Sequence, residues 1–529
     1  MKYRQLVIDA VGTGAAAGLV VEALVLRLNP EVAQTLSGVV VGMPLWATWG
    51  MLVVGLPVGV CLLVLQWLRP KPDRWAAPVL FACVFTLGAV FSMVNAEFHA
   101  YMMPGSAYWV LFQDAVSWTV ALLLAVGLAV MVRRLGSRPR DRLLYSVFIL
   151  LLPVLRVAWV PTPEREYLDV AARPLGPASR QLLVIGLEGL DSKVLVADSV
   201  GSNLPTLRRL REEGARAVLQ PHRPYLRQAL WTTVATGTFP GQHGVKAAPA
   251  WDLAVVTPET MRLMPWTPLG SRLMLPWGLA ELVPPPPATV APLWARLSAA
   301  GAETTVFGWP GSWGADPSRV PTVFDEPVEV LDPTILQSLT AALAPLPNHR
   351  ERIWRAIVRD EAHINSAVRA LSGGGDNVWI HLETLAQVRR YHEPLRSRHT
   401  YQRRLLAQVL ELVDVQLERL LAASAPDALV VVLSPNGLQP PGSFERFQRL
   451  LGFGGEWHAS ADSSPDGLLV MMGDGVRFGG TVPTARAPDV APTVCYLLDL
   501  PVAQYMDGSV IVDLVDPGFL ADRPLRVVD

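Results

Sequence analysis

The chain has 529 residues, a mean hydropathy of +0.31 and only 17% charged residues, values that exclude a wholly soluble protein. Residues 1–160 carry 12 Lys and Arg against 7 Asp and Glu, whereas the other 369 carry 33 against 39, so net charges of +5 and −6 sum to −1. No basic stripe accompanies the globular part, which excludes an electrostatically driven nucleic-acid binder. The three cysteines are too scattered for a disulfide framework or a cysteine-based zinc site.

The first part of the chain contains five apolar segments, each close to the roughly 20 residues that a helix needs to cross a membrane. With boundaries good to a few residues, the predicted spans are 5–27, 38–68, 75–96, 107–132 and 143–160. A cleaved signal peptide is the competing interpretation of the first segment, and the four further segments argue against it. We therefore predict a membrane domain of about five transmembrane helices over residues 1–160.

Positive charges in the short loops predict the orientation of this domain. Lys and Arg occur near the N-terminus and in the loops RPKPDR (69–74) and RRLGSRPRDR (133–142), whereas 97–106 contains none. Basic loops thus alternate with neutral ones, which predicts a cytoplasmic N-terminus. Because the number of predicted spans is odd, we expect the C-terminal part outside the cytoplasm, in the periplasm of a bacterial inner-membrane protein.

Three acidic residues, Asp9, Glu22 and Asp114, lie within or beside the predicted spans, where an ionised group is costly and often functional. One interpretation places Asp9 near the interface and has Glu22 and Asp114 paired inside the helix bundle. The alternative gives these residues a role with a proton, an ion or a lipid headgroup. The sequence leaves both open.

After a Pro-, Arg- and Ala-rich linker at 161–180, short β-rich runs alternate with helical stretches, the pattern of an α/β sheet. LLVIGL (182–187) is typical of a buried strand, and NLPTLRRLREEG (203–214) of a helix that ends at a glycine. Further strands and two long helices are expected at 303–311, 377–383, 428–434 and 467–474, and at 347–372 and 397–424. We treat 181–529 as one extracytoplasmic domain.

Four stretches of this domain resemble a single family. LLVIGLEGLDSKVL (182–195) followed by ALWTTVATGTFPGQHGV (229–245) resembles the start of type I phosphodiesterase/nucleotide pyrophosphatases, which belong to the alkaline phosphatase superfamily. PLWARLSAAGAETTVFGWPGSWGADP (292–317) is similar to the middle of that family, and APDVAPTVCYLLDLPVAQYMDGSVI (487–511) to its closing segment. The resemblance runs in order from about 181 to 515 and implies a sulfatase-like α/β domain with a mixed, mostly parallel sheet.

The resemblance also implies two-metal phosphoryl or sulfuryl transfer, in which about six Asp and His ligands hold two cations, usually zinc, and a Thr or Ser attacks. At the corresponding positions this sequence differs. Glu188 stands at the first Asp ligand, and Arg227, which cannot become an alkoxide, stands at the nucleophile. The remaining family positions hold Glu383, Gln387, Pro435, Asn436 and Ser463. We therefore expect a dismantled site that binds no metal cofactor.

A weak set of candidates for one remaining cation consists of Glu188, Asp191, Glu383, His458 and His381, which lies two residues before Glu383 on the same strand face. His458 could take part only if its loop shifted. The competing interpretation, which we favour, is an ion pair between Arg227 and Glu188 or Glu383 that replaces metal-to-carboxylate contacts.

These observations predict a membrane-anchored pseudoenzyme that uses the old substrate cleft, or the surface around it, for binding or assembly. Two alternatives stay open. One is an active metal-dependent phosphodiesterase with a remodelled site. The other is a phospho-headgroup transferase, by analogy of layout alone, because lipid A phosphoethanolamine transferases and lipoteichoic acid synthases also join five spans to a sulfatase-like domain. The expected partners are the lipid bilayer and, as further candidates, other membrane or envelope proteins, with no nucleic acid.

Overall fold

The computed structural model of the chain forms two compact units. One consists of Met1–Glu166, Lys246–Pro285 and Gln448–Phe453, and the other of Tyr167–Val245, Pro286–Phe447 and Gly454–Asp529. The residues that the structure describes are 2–29, 32, 40–68, 76–103, 105–135, 139–158, 174–195, 204–222, 225–246, 250–252, 261, 263–265, 281–283, 288–311, 337, 339–341, 343–344, 347–391, 400–438 and 465–528.

The first unit begins with apolar helices. They are α1 (Lys2–Leu28), α2 (Gly42–Gly50), α3 (Leu56–Leu68), α4 (Ala76–Phe98), α5 (Gly105–Leu135) and α6 (Pro139–Ala158). A π-helical turn at Met51–Gly55 joins α2 to α3, so these two helices form one long span with an irregular centre.

Among the described residues, four helical stretches are long and apolar enough to cross a membrane: Leu6–Leu28, Gly42–Leu68, Ala77–Phe98 and Tyr108–Met131. The fifth predicted span, 143–160, corresponds to a shorter apolar helix, Leu143–Ala158. This helix follows the predicted span as far as residue 158, where the described residues end. Apolar helices thus lie at all five predicted positions.

Glycines allow α1 to approach α2 closely. A Cβ atom built on Gly18 would lie 2.0 Å from the carbonyl oxygen of Trp46, and one on Gly50 would lie 2.2 Å from the carbonyl oxygen of Gly14. A larger side chain at either position would push the helices apart, so the glycines set this helix spacing, as small residues do between membrane helices.

The acidic residues of these helices differ in their surroundings. Asp114 forms ion pairs with Arg27 and Arg156, not with Glu22. Glu22 is fully buried, and neither of its carboxyl oxygens has a hydrogen-bond partner among the described residues. Within the described residues, Asp114 is thus paired inside the helices, but its partners are arginines of α1 and α6 and not Glu22.

The segment Lys246–Pro285, which lies beyond the predicted domain boundary, belongs to the first unit. Met261 is 2% exposed and lies in the apolar cluster formed by the helices. The side-chain amide of Asn29 donates to the Leu263 carbonyl oxygen at 2.7 Å and accepts from the Leu263 N–H at 2.9 Å. Within the segment, β3 (Ala250–Asp252) pairs antiparallel with β4 (Glu281–Val283). The predicted boundary at residue 181 does not separate this segment from the helices.

The second unit is built on a seven-stranded sheet in the order β5–β6–β1–β7–β8–β2–β9. Its strands are β1 (Leu182–Leu187), β2 (Ala215–Gln220), β5 (Thr304–Phe307), β6 (Asn377–Leu382), β7 (Leu429–Asn436), β8 (Asp466–Met472) and β9 (Thr481–Arg486). Only β8 runs antiparallel to its neighbours. This confirms the predicted mixed, mostly parallel sheet. A small separate pair joins β10 (Val502–Ala503) to β11 (Val527–Val528).

Helices cover both faces of the sheet, which is why the central strand β1 is apolar at every position. Leu182 and Val184 of β1 belong to one apolar cluster, and Leu183 and Ile185 belong to the other. The helices of this unit are α7 (Ser192–Leu195), α8 (Pro205–Glu213), α9 (Arg227–Thr236), α10 (Pro240–His243), α11 (Leu293–Ala299), α12 (Pro347–Ser372), α13 (Thr384–Tyr391), α14 (Thr400–Ala423), α15 (Val490–Leu497) and α16 (Pro517–Asp522), with short 3₁₀ turns at Ala487–Asp489 and Val512–Leu514.

The sheet brings two acidic residues together. In the parallel pairing of β1 with β6, Leu187 lies opposite Leu382, and the next residues along the chain are Glu188 and Glu383. The Glu188 N–H donates to the Leu382 carbonyl oxygen at 3.0 Å, which extends the pairing by one residue. Both carboxyl groups therefore leave the sheet at the carboxyl ends of neighbouring strands, the usual position of sites in α/β folds.

Candidate functional site

The centre of the site is a group of three side chains at the ends of β1 and β6. One ligand-type atom from each of Glu188, His381 and Glu383 lies within 4.8 Å of the others. His381 points to the same side as Glu383 because residues two apart on a strand share a face, as the sequence predicts. Its Nε2 atom lies 3.4 Å from Glu188 Oε2.

Arg227 contacts both carboxyl groups of this cluster. Its Nε donates to Glu188 Oε2 at 2.7 Å, and its Nη2 pairs with Glu383 Oε1. Arg227 is the first residue of α9, where a cation is unfavourable because the helix amino end is itself positive. The two carboxylates offset that cost. The ion pair that the sequence analysis favours is thus present, and it involves both acidic residues.

A second arginine, which the sequence analysis missed, completes the cluster. Arg359 projects from α12, and its Nη2 donates to Glu383 Oε2, so both oxygens of Glu383 are bound by guanidinium groups. The cluster therefore holds two carboxylates and two guanidinium groups. About two-fifths of each arginine side chain stays exposed, whereas Glu188 is 6% and Glu383 12% exposed.

His381 lies in an apolar setting beneath these charges. Its ring meets that of Trp231 edge to face, with 4.6 Å between centroids. Burial lowers the pKa of His381 from 6.5 to about 4, and the nearby Arg227 acts in the same direction. The imidazole is therefore neutral at physiological pH and adds no charge to the cluster.

Asp360, the neighbour of Arg359 on α12, holds the start of α13. One of its oxygens, Oδ2, accepts the backbone N–H of Glu383 at 2.8 Å and that of Thr384 at 2.7 Å. The Thr384 hydroxyl donates to the same oxygen at 2.7 Å. Burial raises the pKa of Asp360 to about 7, although the bonds from Thr384 oppose this shift. Asp360 therefore positions the backbone from which Glu383 projects.

Asp191, one of the predicted cation ligands, faces a different partner. Its Oδ2 accepts from Arg389 Nη2 at 2.9 Å, and its Oδ1 accepts the Val194 N–H at 3.0 Å. Arg389 also donates to the carbonyl oxygens of Gly189 and Leu438. The structure does not bring Asp191 into the group around Glu188, because Arg389 holds it in a separate buried ion pair.

The other family positions carry side chains without a ligand role in the described part of the site. Gln387 lies in α13, and its buried Oε1 has no hydrogen-bond partner among the described residues. Pro435 and Asn436 end β7, and the Asn436 side chain donates to the Gly437 carbonyl oxygen at 2.9 Å. His458 and Ser463 lie outside the residues that the structure describes.

This arrangement does not fit a pair of divalent cations. Two adjacent cations need about six anionic or imidazole ligands between them, and three such groups meet in the described cluster. Arg227 and Arg359 bind both oxygens of Glu383, and Arg227 binds Glu188 Oε2. Even a single cation would have to displace guanidinium groups and meet their repulsion. We therefore derive no reaction step through a metal.

The family assignment comes from a comparison of sequence. The family model of type I phosphodiesterase/nucleotide pyrophosphatase matches residues 182–490, more than half of the chain. The chain therefore belongs to this family. This confirms the family resemblance seen in the sequence motifs. None of the curated proteins matches the chain.

Several solved structures resemble the chain at low identity. Human ectonucleotide pyrophosphatase/phosphodiesterase 5 is 13% identical, with a TM-score of 0.41, and the match covers 64% of this chain and 100% of that one. The murine protein is also 13% identical, with a TM-score of 0.38 and the same coverage. A 2-O GAG sulfatase, BT1596, matches at 13% identity and a TM-score of 0.38, over 64% of this chain and 74% of its own.

Proposed function

We propose that this chain is a membrane-anchored, catalytically inactive member of the phosphodiesterase family, whose cleft serves binding or assembly. One observation carries the proposal. Arg227 occupies the position where the family has its nucleophile, and it is ion-paired with both carboxylates that remain at the ligand positions. A guanidinium group stays protonated in proteins and cannot attack phosphorus.

The electrostatics of the cleft support the same proposal. In an active relative, the positive charge of two cations balances the acidic ligands. Here Arg227 and Arg359 supply two positive charges to Glu188 and Glu383, and His381 is neutral. The chain's own side chains thus balance the charge of the cluster. No cation is needed to offset the repulsion between the two buried carboxylates.

Membrane anchoring is the second part of the proposal. The four long apolar helices and the shorter α6 support insertion, and the alternation of basic and neutral loops supports a cytoplasmic N-terminus. With all five segments crossing, the phosphodiesterase-like unit lies outside the cytoplasm, in the periplasm of a bacterial cell. The bilayer is then a partner, and other envelope proteins are candidates for the cleft.

The test combines metal content with hydrolysis. We expect full-length protein, purified with zinc or manganese present, to contain fewer than two equivalents of either metal by elemental analysis. We also expect no metal-dependent hydrolysis of bis(p-nitrophenyl) phosphate, because nucleophile and ligands are both replaced. Chelators should leave the unfolding midpoint unchanged.

Two variants sharpen the test. Arg227→Thr restores a hydroxyl at the nucleophile position, and Arg359→Thr is its control, since it also removes one arginine from the cluster. We expect both to stay inactive with zinc. Hydrolysis gained by Arg227→Thr alone, or two metal equivalents in the wild type, would contradict the proposal and support an active phosphodiesterase with a remodelled site.

A further inference from the structure

Three charged side chains meet in the helical part of the first unit. Arg27 lies in the last turn of α1, Arg156 in the last turn of α6, and Asp114 in the third turn of α5. Arg27 Nε donates to Asp114 Oδ2 at 2.7 Å, and Arg156 Nε donates to Asp114 Oδ1. Arg27 Nη2 also donates to the backbone carbonyl oxygen of Arg156 at 3.2 Å. These contacts hold the two guanidinium groups side by side.

The charges in this cluster are unequal. Two guanidinium groups share one carboxylate, and the side chains of Arg27 and Asp114 are each 1% exposed. Arg27 Nη1 is buried and has no hydrogen-bond partner among the residues that the structure describes. Both arginines lie at the carboxyl ends of their helices, where the helix dipole favours the charged form. An excess cation with an unused donor in an apolar bundle is costly unless an anion lies beside it.

We propose that Arg27, Asp114 and Arg156 form a binding site for a phosphate-type anion, either the phosphate of a lipid headgroup or inorganic phosphate. Arg156, the partly exposed arginine, donates to the phosphate oxygens, the buried Arg27 supplies the excess positive charge beside it, and Asp114 positions the two guanidinium groups. The forked donors of guanidinium match the oxygens of phosphate. Arg156 is the open side of the site, because 16% of its side chain is exposed.

The site is separate from the proposed pseudoenzyme cleft. Its three residues lie within the first unit, and none of them belongs to the cluster around Glu188. The inference rests on the proposed membrane placement of the helices but not on the state of the cleft. Hydrolysis or metal binding found in the cleft would therefore leave this site untouched, and the two proposals can fail independently.

The test uses the full-length protein. Thermal unfolding in detergent, followed by tryptophan fluorescence, is measured in potassium phosphate and in potassium chloride of equal ionic strength. Native mass spectrometry then measures retention of phosphatidylglycerol against a glycolipid that lacks phosphate. The variants are Arg156→Gln, which removes the excess charge, and Arg156→Lys, which keeps the charge without the fork. Arg209→Gln, which breaks an exposed pair with Glu213 on α8, is the matched control.

We expect phosphate to stabilise the wild type more than chloride, or phosphatidylglycerol to be retained over the glycolipid. A response to free phosphate identifies an anion from solution, and lipid retention alone identifies a headgroup. Arg156→Gln should weaken the apparent affinity about tenfold or more, as expected for a lost charge-assisted hydrogen bond. Arg156→Lys should lose less, and Arg209→Gln should match the wild type.

Two results would overturn the proposed anion site. The first concerns the wild type alone: it would show no preference for phosphate over chloride and none for phospholipid over glycolipid. The second is full affinity in an Arg156→Gln protein that unfolds cooperatively, since the anion would then bind elsewhere.

Discussion

Glu188 forms an ion pair with Arg227 in the described part of the cleft. Its side chain is 6% exposed, so the charge of this carboxylate is largely shielded from solvent. We expect Arg227→Ala to lower the free energy of unfolding at pH 7 by about 1–3 kcal/mol, less than for a wholly buried pair, since Arg227 is 40% exposed. Denaturant titration of the full-length protein, followed by circular dichroism, measures the change.

Two further variants distinguish the loss of an attractive ion pair from the cost of leaving a buried carboxylate without its counter-charge. Arg359→Ala should cost less than Arg227→Ala, because Glu383 keeps its contact with Arg227. Adding Glu188→Gln to Arg227→Ala should recover part of the loss, since the buried negative charge that faced Arg227 is then removed. Wild-type stability in Arg227→Ala would show that Arg227 is not the counter-charge of the cleft.

His381 makes the stability of the second unit depend on pH. Burial lowers its pKa to about 4, below the ordinary value of 6.5. Between these values the folded protein binds fewer protons than the unfolded chain, so its stability falls as pH drops from about 6.5 towards 4. We expect His381→Gln to make this decline shallower, by up to about 1.4 kcal/mol per pH unit.

The measurement is the free energy of unfolding of both proteins between pH 4.5 and 7. Asp360, whose pKa burial raises to about 7, favours the folded state at low pH and loses that contribution as pH rises. It acts in the opposite direction to His381 and is present in both proteins, so the comparison isolates His381. Identical slopes in the two proteins would show that His381 titrates normally.

Among the elements, α13 is tied to two loops by one buried residue. Arg389 donates to Asp191 at 2.9 Å and to the Leu438 carbonyl oxygen at 3.1 Å, and it also bonds the Gly189 carbonyl oxygen. It therefore links the chain after β1 to the chain after β7. The link lies beside the cleft and holds the loop that begins at Glu188.

We expect Arg389→Met to destabilise the protein by about 2–4 kcal/mol, because it leaves the buried Asp191 without its cation. Hydrogen exchange should speed up in the amides of 188–191 and 437–438. Arg389→Lys keeps the charge but not the fork and should show a smaller effect. Unchanged exchange in Arg389→Met would mean that packing alone holds these loops.

The regular elements follow closely from the sequence pattern. The predicted helix 347–372 is α12 (Pro347–Ser372), and the predicted strand 182–187 is β1 (Leu182–Leu187). Both carry strong periodic or continuous apolar signals, which depend on neighbours in the sequence. The predicted span 143–160 also matches the apolar helix Leu143–Ala158 as far as the described residues extend.

At the scale of the whole molecule, the side of the membrane on which the second unit lies depends on whether the short helix α6 crosses the bilayer. If Leu143–Ala158 crosses the bilayer, five crossings place the C-terminus outside, and if it does not, four crossings return it to the cytoplasm. The basic loop at 133–142 favours a cytoplasmic position before α6. We expect a reporter that is active only in the cytoplasm to be silent when fused after Asp529.

The same reporter fused after Arg138 is the control and should be active, since it sits in the basic loop before α6. An alkaline phosphatase fusion should give the reverse pattern at both positions. A cytoplasmic reporter that is active after Asp529 would contradict the outside location and show that α6 lies within or beside the membrane without crossing it.

The alternation of strands and helices, the apolar spans and the replaced family positions are all visible in the sequence, because each depends on residues close together or on motifs in order. The complete set of contacts in the site is not visible in the sequence. The paired residues are separated in the sequence by 24 positions for Arg359 and Glu383, 198 for Arg389 and Asp191, and 234 for Asn29 and Leu263. Such pairs depend on the strand order and helix packing that bring distant segments together. The burial of each charge then determines how much free energy is lost when its partner is removed.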